Sequence, residues 1–307
     1  MGADHPPFLE CAGRIGPSNQ ETARKEDSIE FDSRDGIRIQ AWRWAPEGTP
    51  RGVVQVQHGL GEHGARYRRF GEALAAAGYL VVAPDGRGSG RTAAGRYGHW
   101  GRDGWPGWVD DLVQLNHRIR QDHPGLKLAL VGHSMGSFAT QQFLLDHSAE
   151  VDAAVLLGST EVSGIVAMMT APGPVDLSSL NQGFEHRTGF EWLSRDAAEV
   201  DIYCADPACG FVPEPFTGIE TLARAADPAV LAGIRADLPI LILSGDADPI
   251  AGGGAALQVV AQRYRDAGVR DVELTLYPQA RHELLNETNR EEVTARIVGF
   301  LDRTVGR

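Results

Sequence analysis

Apolar and polar residues alternate with a period of two along Ser28-Ile29-Glu30-Phe31 and again over residues 37–44. Ser33-Arg34-Asp35-Gly36 lies between them as a turn signal, so the two runs predict a β-hairpin. Beyond it the pattern changes. Short, nearly unbroken apolar runs occupy residues 53–57, 79–83, 127–131, 153–157, 240–243 and 272–277. Stretches with helical spacing fall at 67–77, 108–121, 138–147, 255–267 and 290–302, with Gly78 and Pro124 as stop signals for the first two. Strands that read as continuous apolar runs are buried on both faces. Alternating with helices, they predict a mostly parallel sheet covered on both sides, with the hairpin as an antiparallel edge.

One stretch interrupts this rhythm. Residues 159–236 lack strand alternation and carry Pro172, Pro174, Pro207, Pro213, Pro215 and Pro228. Apolar clusters recur there at 165–169, at Phe190 and Trp192, and at Phe211. An insertion of that length between two core strands is too long for a structureless loop and predicts a helical cap. The expected organisation is an N-terminal extension over 1–25, a core made of 26–158 and 237–307, and a cap over 159–236.

At 307 residues, with 42% hydrophobic and 23% charged content, the chain has the make-up of a soluble globular protein. The formal net charge of -12 argues against nucleic acid as a partner and against a polybasic grip on anionic membranes. No apolar run reaches the length of about 18 residues that would suggest a membrane span. Residues 1–20 lack a basic-then-apolar signal pattern, which makes the cytoplasm the expected location. Cys11, Cys204 and Cys209 are too few for a disulfide framework. Cys204 and Cys209 are close enough to pair, but two ordinary thiols are the expectation.

The chemistry concentrates around Gly132-His133-Ser134-Met135-Gly136, directly between a predicted strand and a predicted helix. A strand that turns sharply into a helix forces its serine into a strained backbone and leaves no room for side chains two residues to either side. Serine needs a base to remove its proton, and the base needs a third group to orient it. Downstream, Asp246 and Asp248 follow one strand, and His282 follows the next. Both loops lie at the carboxyl ends of strands, where open α/β sheets assemble their sites. Asp248, held before Pro249, is the favoured acid, while Asp246 could instead cap its loop. Charge on an acyl oxyanion requires backbone N–H donors. Met135 after the serine and Leu60 in the loop His58-Gly59-Leu60-Gly61-Glu62-His63-Gly64 are the candidates. A metal role for His58 and His63 is not expected, since neither cysteine nor a helical His-x-x-x-His spacing accompanies them.

The segment from His58 to Tyr67 resembles the HGxGEHxxRY segment of the monoacylglycerol lipase and bacterial lysophospholipase family, within the serine aminopeptidase S33 type. The 132–136 pentapeptide resembles that family's elbow, Gly245-Asp246-Ala247-Asp248 its acid loop, and Arg281-His282-Glu283 its histidine segment. The resemblance implies the α/β-hydrolase fold, a triad of Ser134, Asp248 and His282, an oxyanion hole of Leu60 and Met135, and no metal or cofactor. The implied substrate is a small ester or lipid of the monoacylglycerol or lysophospholipid type, with transient contact with lipid aggregates. The sequence departs from the family at Asp85-Gly86-Arg87-Gly88-Ser89-Gly90, where a histidine is usual at position 86; structural repacking is expected there. Alternatives are a short-chain carboxylesterase, an amide-cleaving relative, and a catalytically silent ligand-binding protein on the same fold.

Overall fold

In the computed structural model, which describes residues 28–171, 173 and 175–306, the hairpin forms as β1 (Ser28–Asp32) and β2 (Arg38–Trp44). The expected extension over 1–25, with Cys11, lies outside the described residues. The apolar runs become β3 (Gly52–Gln57), β4 (Tyr79–Asp85), β5 (Leu128–His133), β6 (Ala153–Leu157), β7 (Ile240–Gly245) and β8 (Val272–Tyr277). They join one sheet in the order β1-β2-β4-β3-β5-β6-β7-β8. The pairs β1–β2 and β2–β4 are antiparallel, and the other pairs are parallel.

The unbroken apolar runs are explained by two cores, one on each face. Leu130, Leu156, Ile240 and Ile242 point into one core, while their neighbours Val131, Val155, Leu241 and Leu243 point into the other. Each such side chain is fully buried, and full burial stabilises by about 1.5–3 kcal/mol per residue. The helices between strands are α1 (Arg68–Ala76), α2 (Gly104–Asp122) and α3 (Met135–His147). The helices α2 and α3 pack on the first face, and α1 packs on the second.

Within 159–236 the chain forms α4 (Val162–Thr170), α5 (Ala197–Ala205), α6 (Pro228–Leu231) and several 3-10 turns. Part of this segment is continuous with the main core: Val162, Ile165, Phe216, Ile219 and Leu222 pack with α2 and α3. Trp192, Leu193 and Tyr203 form a small cluster of their own. The chain closes with α7 (Ala255–Asp266) on the first face and α8 (Arg290–Thr304) on the second.

The helix α2 begins four residues before the expected start. Pro106 is tolerated because a first-turn residue has no intrahelical N–H acceptor to lose. Trp105 is tied in by its own N–H to Thr217 O (2.9 Å) and by its indole N–H to Gln142 Oε1 (2.7 Å). Among the described residues, no helix is long and apolar enough to cross a membrane.

Candidate active site

The parallel strands β3 and β5 to β8 deliver their following loops to one edge of the sheet. Ser134 sits at the β5–α3 junction with φ 50 and ψ -122, a strained conformation for a residue with a side chain. The flanking glycines are sterically required. A Cβ on Gly132 would lie 2.4 Å from Gly136 O, and one on Gly136 would lie 2.2 Å from Gln57 O.

Asp248 and His282 meet behind this turn. Asp248 Oδ2 accepts from His282 Nδ1 at 2.8 Å, with both side chains almost fully buried. The same oxygen accepts from Ser244 Oγ (3.1 Å), and Oδ1 accepts from the Ile250 N–H (3.1 Å). Asp246 is exposed and instead accepts from the Gln279 N–H of the neighbouring loop at 2.6 Å. The imidazole of His282 lies against Gly158, where a Cβ would come within 3.1 Å of Nδ1, and beside Trp192, with ring centroids 4.8 Å apart. The 191–194 backbone braces the loop, because Leu193 O accepts from the Glu283 N–H at 2.8 Å.

The 58–67 loop is held by a buried network around Glu62. Its Oε1 accepts from Gly59 N–H (2.6 Å), Tyr67 O–H (2.9 Å) and His133 Nδ1 (3.0 Å). Its Oε2 accepts from Arg66, which also forms a bidentate pair with Glu283 at 2.5 and 2.7 Å. Burial opposes charge on Glu62, but His133 and Arg66 outweigh it and hold the carboxyl well below its usual range. Burial likewise opposes charge on His133, yet the bond and charge of Glu62 raise its pKa. Both His133 nitrogens face acceptors, Glu62 on one side and His282 O (3.4 Å) on the other, which suits the imidazolium. The network therefore links three loops: the one bearing Leu60, the one bearing Ser134 and the one bearing His282. Among the described residues, neither the Leu60 nor the Met135 N–H is bonded to a protein acceptor.

A family model described as serine aminopeptidase, S33, matches residues 48–289. The chain belongs to that family. A monoacylglycerol lipase from Mycolicibacterium smegmatis is 32% identical to it over 292 residues, covering 91% of this chain and 99% of the relative. Human monoglyceride lipase is 27% identical, covering 88% of this chain and 90% of its own. Among solved structures, a thermostable carboxyl esterase from Bacillus coagulans in complex with glycerol matches with a TM-score of 0.80 at 27% identity. That match covers 91% of this chain and 98% of the esterase. The fold is that of the α/β-hydrolases.

In this S33 member the departure at position 86 has a local cause. A Cβ on Gly86 would lie 2.5 Å from the Trp108 ring, so the indole occupies the space a side chain there would need. The following Arg87 is buried and paired with Asp35 (2.9 Å) and Asp111 (2.7 Å). His58 spends both ring nitrogens internally, Nδ1 on Gly59 O (2.7 Å) and Nε2 on the Gly86 N–H (2.9 Å). Burial lowers its pKa, consistent with a neutral ring. Cys204 and Cys209 do not form a disulfide with each other.

A narrow apolar cavity, open to solvent, lies over Ser134 and His282. Leu60 and Met135 lie at its base, and Ile165, Met168, Leu177, Leu180 and Trp192 of the 159–236 segment form much of its wall. Pattern reading missed Glu62, Arg66, Tyr67, His133 and Glu283 as parts of the site. One signal was available: Glu62 and Arg66 stand four apart, the spacing of a paired acid and base on a helical turn.

Proposed function

We propose that this carboxylic ester hydrolase cleaves monoacylglycerol or lysophospholipid-type esters, with Ser134 as nucleophile, His282 as base and Asp248 as its orienting acid. The observation that carries the reading is the buried 2.8 Å bond between His282 Nδ1 and Asp248 beneath a cavity that Ser134 also lines. A carboxylate on Nδ1 fixes the tautomer and leaves the Nε2 lone pair to accept a proton. Ser134 Oγ attacks the acyl carbonyl while its proton passes to Nε2. The carbonyl oxygen, now charged, is stabilised by the N–H groups of Leu60 and Met135. Collapse breaks the ester bond, the leaving alcohol takes the proton from Nε2, and water repeats the sequence to release the acid.

The apolar wall supports an acyl chain as the group bound, with the 159–236 segment acting as its cap. The exposed side chains of Met168 and Ile202 on that segment are the points of contact with a lipid aggregate. A fluorophosphonate probe tests the nucleophile. The wild type should label stoichiometrically and Ser134→Ala should not; equal labelling of the two removes Ser134 from the role. Nitrophenyl esters of graded length, assayed beside monoacylglycerol and lysophosphatidylcholine, test the substrate. A rate that collapses beyond about four acyl carbons favours a short-chain esterase instead.

A further inference from the structure

On the far side of the Glu62 network, three potential metal ligands converge from distant parts of the chain. His63 Nε2 lies 2.9 Å from Asp206 Oδ2, across 143 residues of sequence. The Cys209 sulfur joins them, and the three ligand atoms all lie within 4.8 Å of one another. We propose that His63, Asp206 and Cys209 form a zinc-binding site that clasps the 58–67 loop to the chain following α5.

The donor set suits zinc: one imidazole nitrogen, one carboxylate oxygen and one sulfur, with a fourth position left for water. Tetrahedral zinc holds such ligands about 3.3–3.6 Å apart, so the present contacts need to widen or close by only a few tenths of an ångström to about an ångström. The outer contacts hold the ligands in place. Asp206 Oδ1 accepts from the Ala208 N–H at 2.8 Å, and the Cys209 N–H donates to Asp206 O at 3.0 Å. A parallel backbone bond, Gly210 N–H to Gly61 O at 2.9 Å, already joins the same two segments.

An entry path exists. His63 and Asp206 line a second cavity, open to solvent and separate from the one over Ser134. The charges also balance. One thiolate and one carboxylate neutralise a divalent ion, and the nearby Arg66 is already offset by Glu62 and Glu283. Binding exchanges the thiol proton of Cys209 for the metal and releases that proton to solvent. Sequence alone gave no reason to expect this site, because the partners of His63 lie so far along the chain.

Cobalt(II) is the probe, since it takes zinc's geometry and reports a thiolate ligand by a charge-transfer band. A second cluster, His117, His147 and Glu150, lies on the surface, so the titration uses a His117→Ala/His147→Ala background. One equivalent should bind with the thiolate band and be displaced by zinc. Cys209→Ser should abolish the band, and His63→Ala or Asp206→Asn should weaken binding by about ten-fold or more, each with an unchanged circular dichroism spectrum. Absence of the band in the full chain overturns the proposal. So does a band that survives Cys209→Ser, or binding that disappears with the surface histidines.

Discussion

At the scale of single residues, Gly136 has no space for even a methyl group. The obstructing atoms at 2.2 and 2.6 Å belong to the Gln57 backbone, which cannot swing aside as a flexible side chain would. Gly136→Ala should therefore push β3 and α3 apart, costing about 1–3 kcal/mol or more and shifting the loop that carries Leu60. Thermal melts and ester turnover would register both effects; a variant that keeps the wild-type Tm and rate contradicts the packing. The two aspartates give a second test. Asp248→Asn leaves the size of the side chain intact but favours the wrong tautomer of His282, with an expected loss in kcat of about 10⁴-fold. Asp246→Asn, on an exposed residue, should stay within about ten-fold of the wild type, a cost confined to the loop contact with Gln279. The reverse ranking would move the acid to Asp246. Pattern favoured Asp248 through Pro249 but could not settle the choice, because the two residues stand two apart in one loop and share its composition. The turn at Asp246 buries one and exposes the other.

At the scale of elements, the strands from β3 to β8 were readable because helices cover both faces of the sheet and these strands are then largely apolar, whereas the β1–β2 hairpin was readable from its alternation. Helix α2 was harder: Gly104, Pro106 and Gly107 look like loop punctuation until the indoles of Trp105 and Trp108 are seen packed in the core. The Glu62–His133 pair was not readable as a unit, since 71 residues separate its members. Its pH dependence follows from the two shifts. Glu62 has a depressed pKa when folded, so its contribution is present above the ordinary value of 4.5 and is lost as pH falls. His133 has a raised pKa when folded, so its contribution is complete below 6.5 and is lost as pH rises through the folded value. The pair stabilises most between those two values. Urea melts of the wild type and His133→Asn should differ most in that window and converge on either side. A difference that is flat with pH would mean that the pair contributes through packing alone.

At the scale of the whole molecule, the loops at one sheet edge carry the proposed reacting groups, and the 159–236 segment supplies much of the wall they face. Such a division lets chain-length preference change without touching the chemistry. Leu180 tests it, because it lines the cavity, is half-buried, and packs with the Trp192 cluster rather than against Ser134, Asp248 or His282. Leu180→Trp adds bulk where an acyl chain would extend and leaves the elbow and its partners in place. Each methylene excluded from an apolar pocket removes about 1–3 kcal/mol of binding, so kcat/KM for a long-chain ester should fall by about ten-fold or more. The same variant should hydrolyse a short ester of about four carbons at close to the wild-type rate, because that chain ends before it reaches the new side chain. An equal loss on both substrates would mean that the tryptophan disturbs the His282 loop through its neighbour Trp192. No loss on either would place the acyl chain elsewhere in the cavity, along Ile165 and Met168, where the same substitution can then be made.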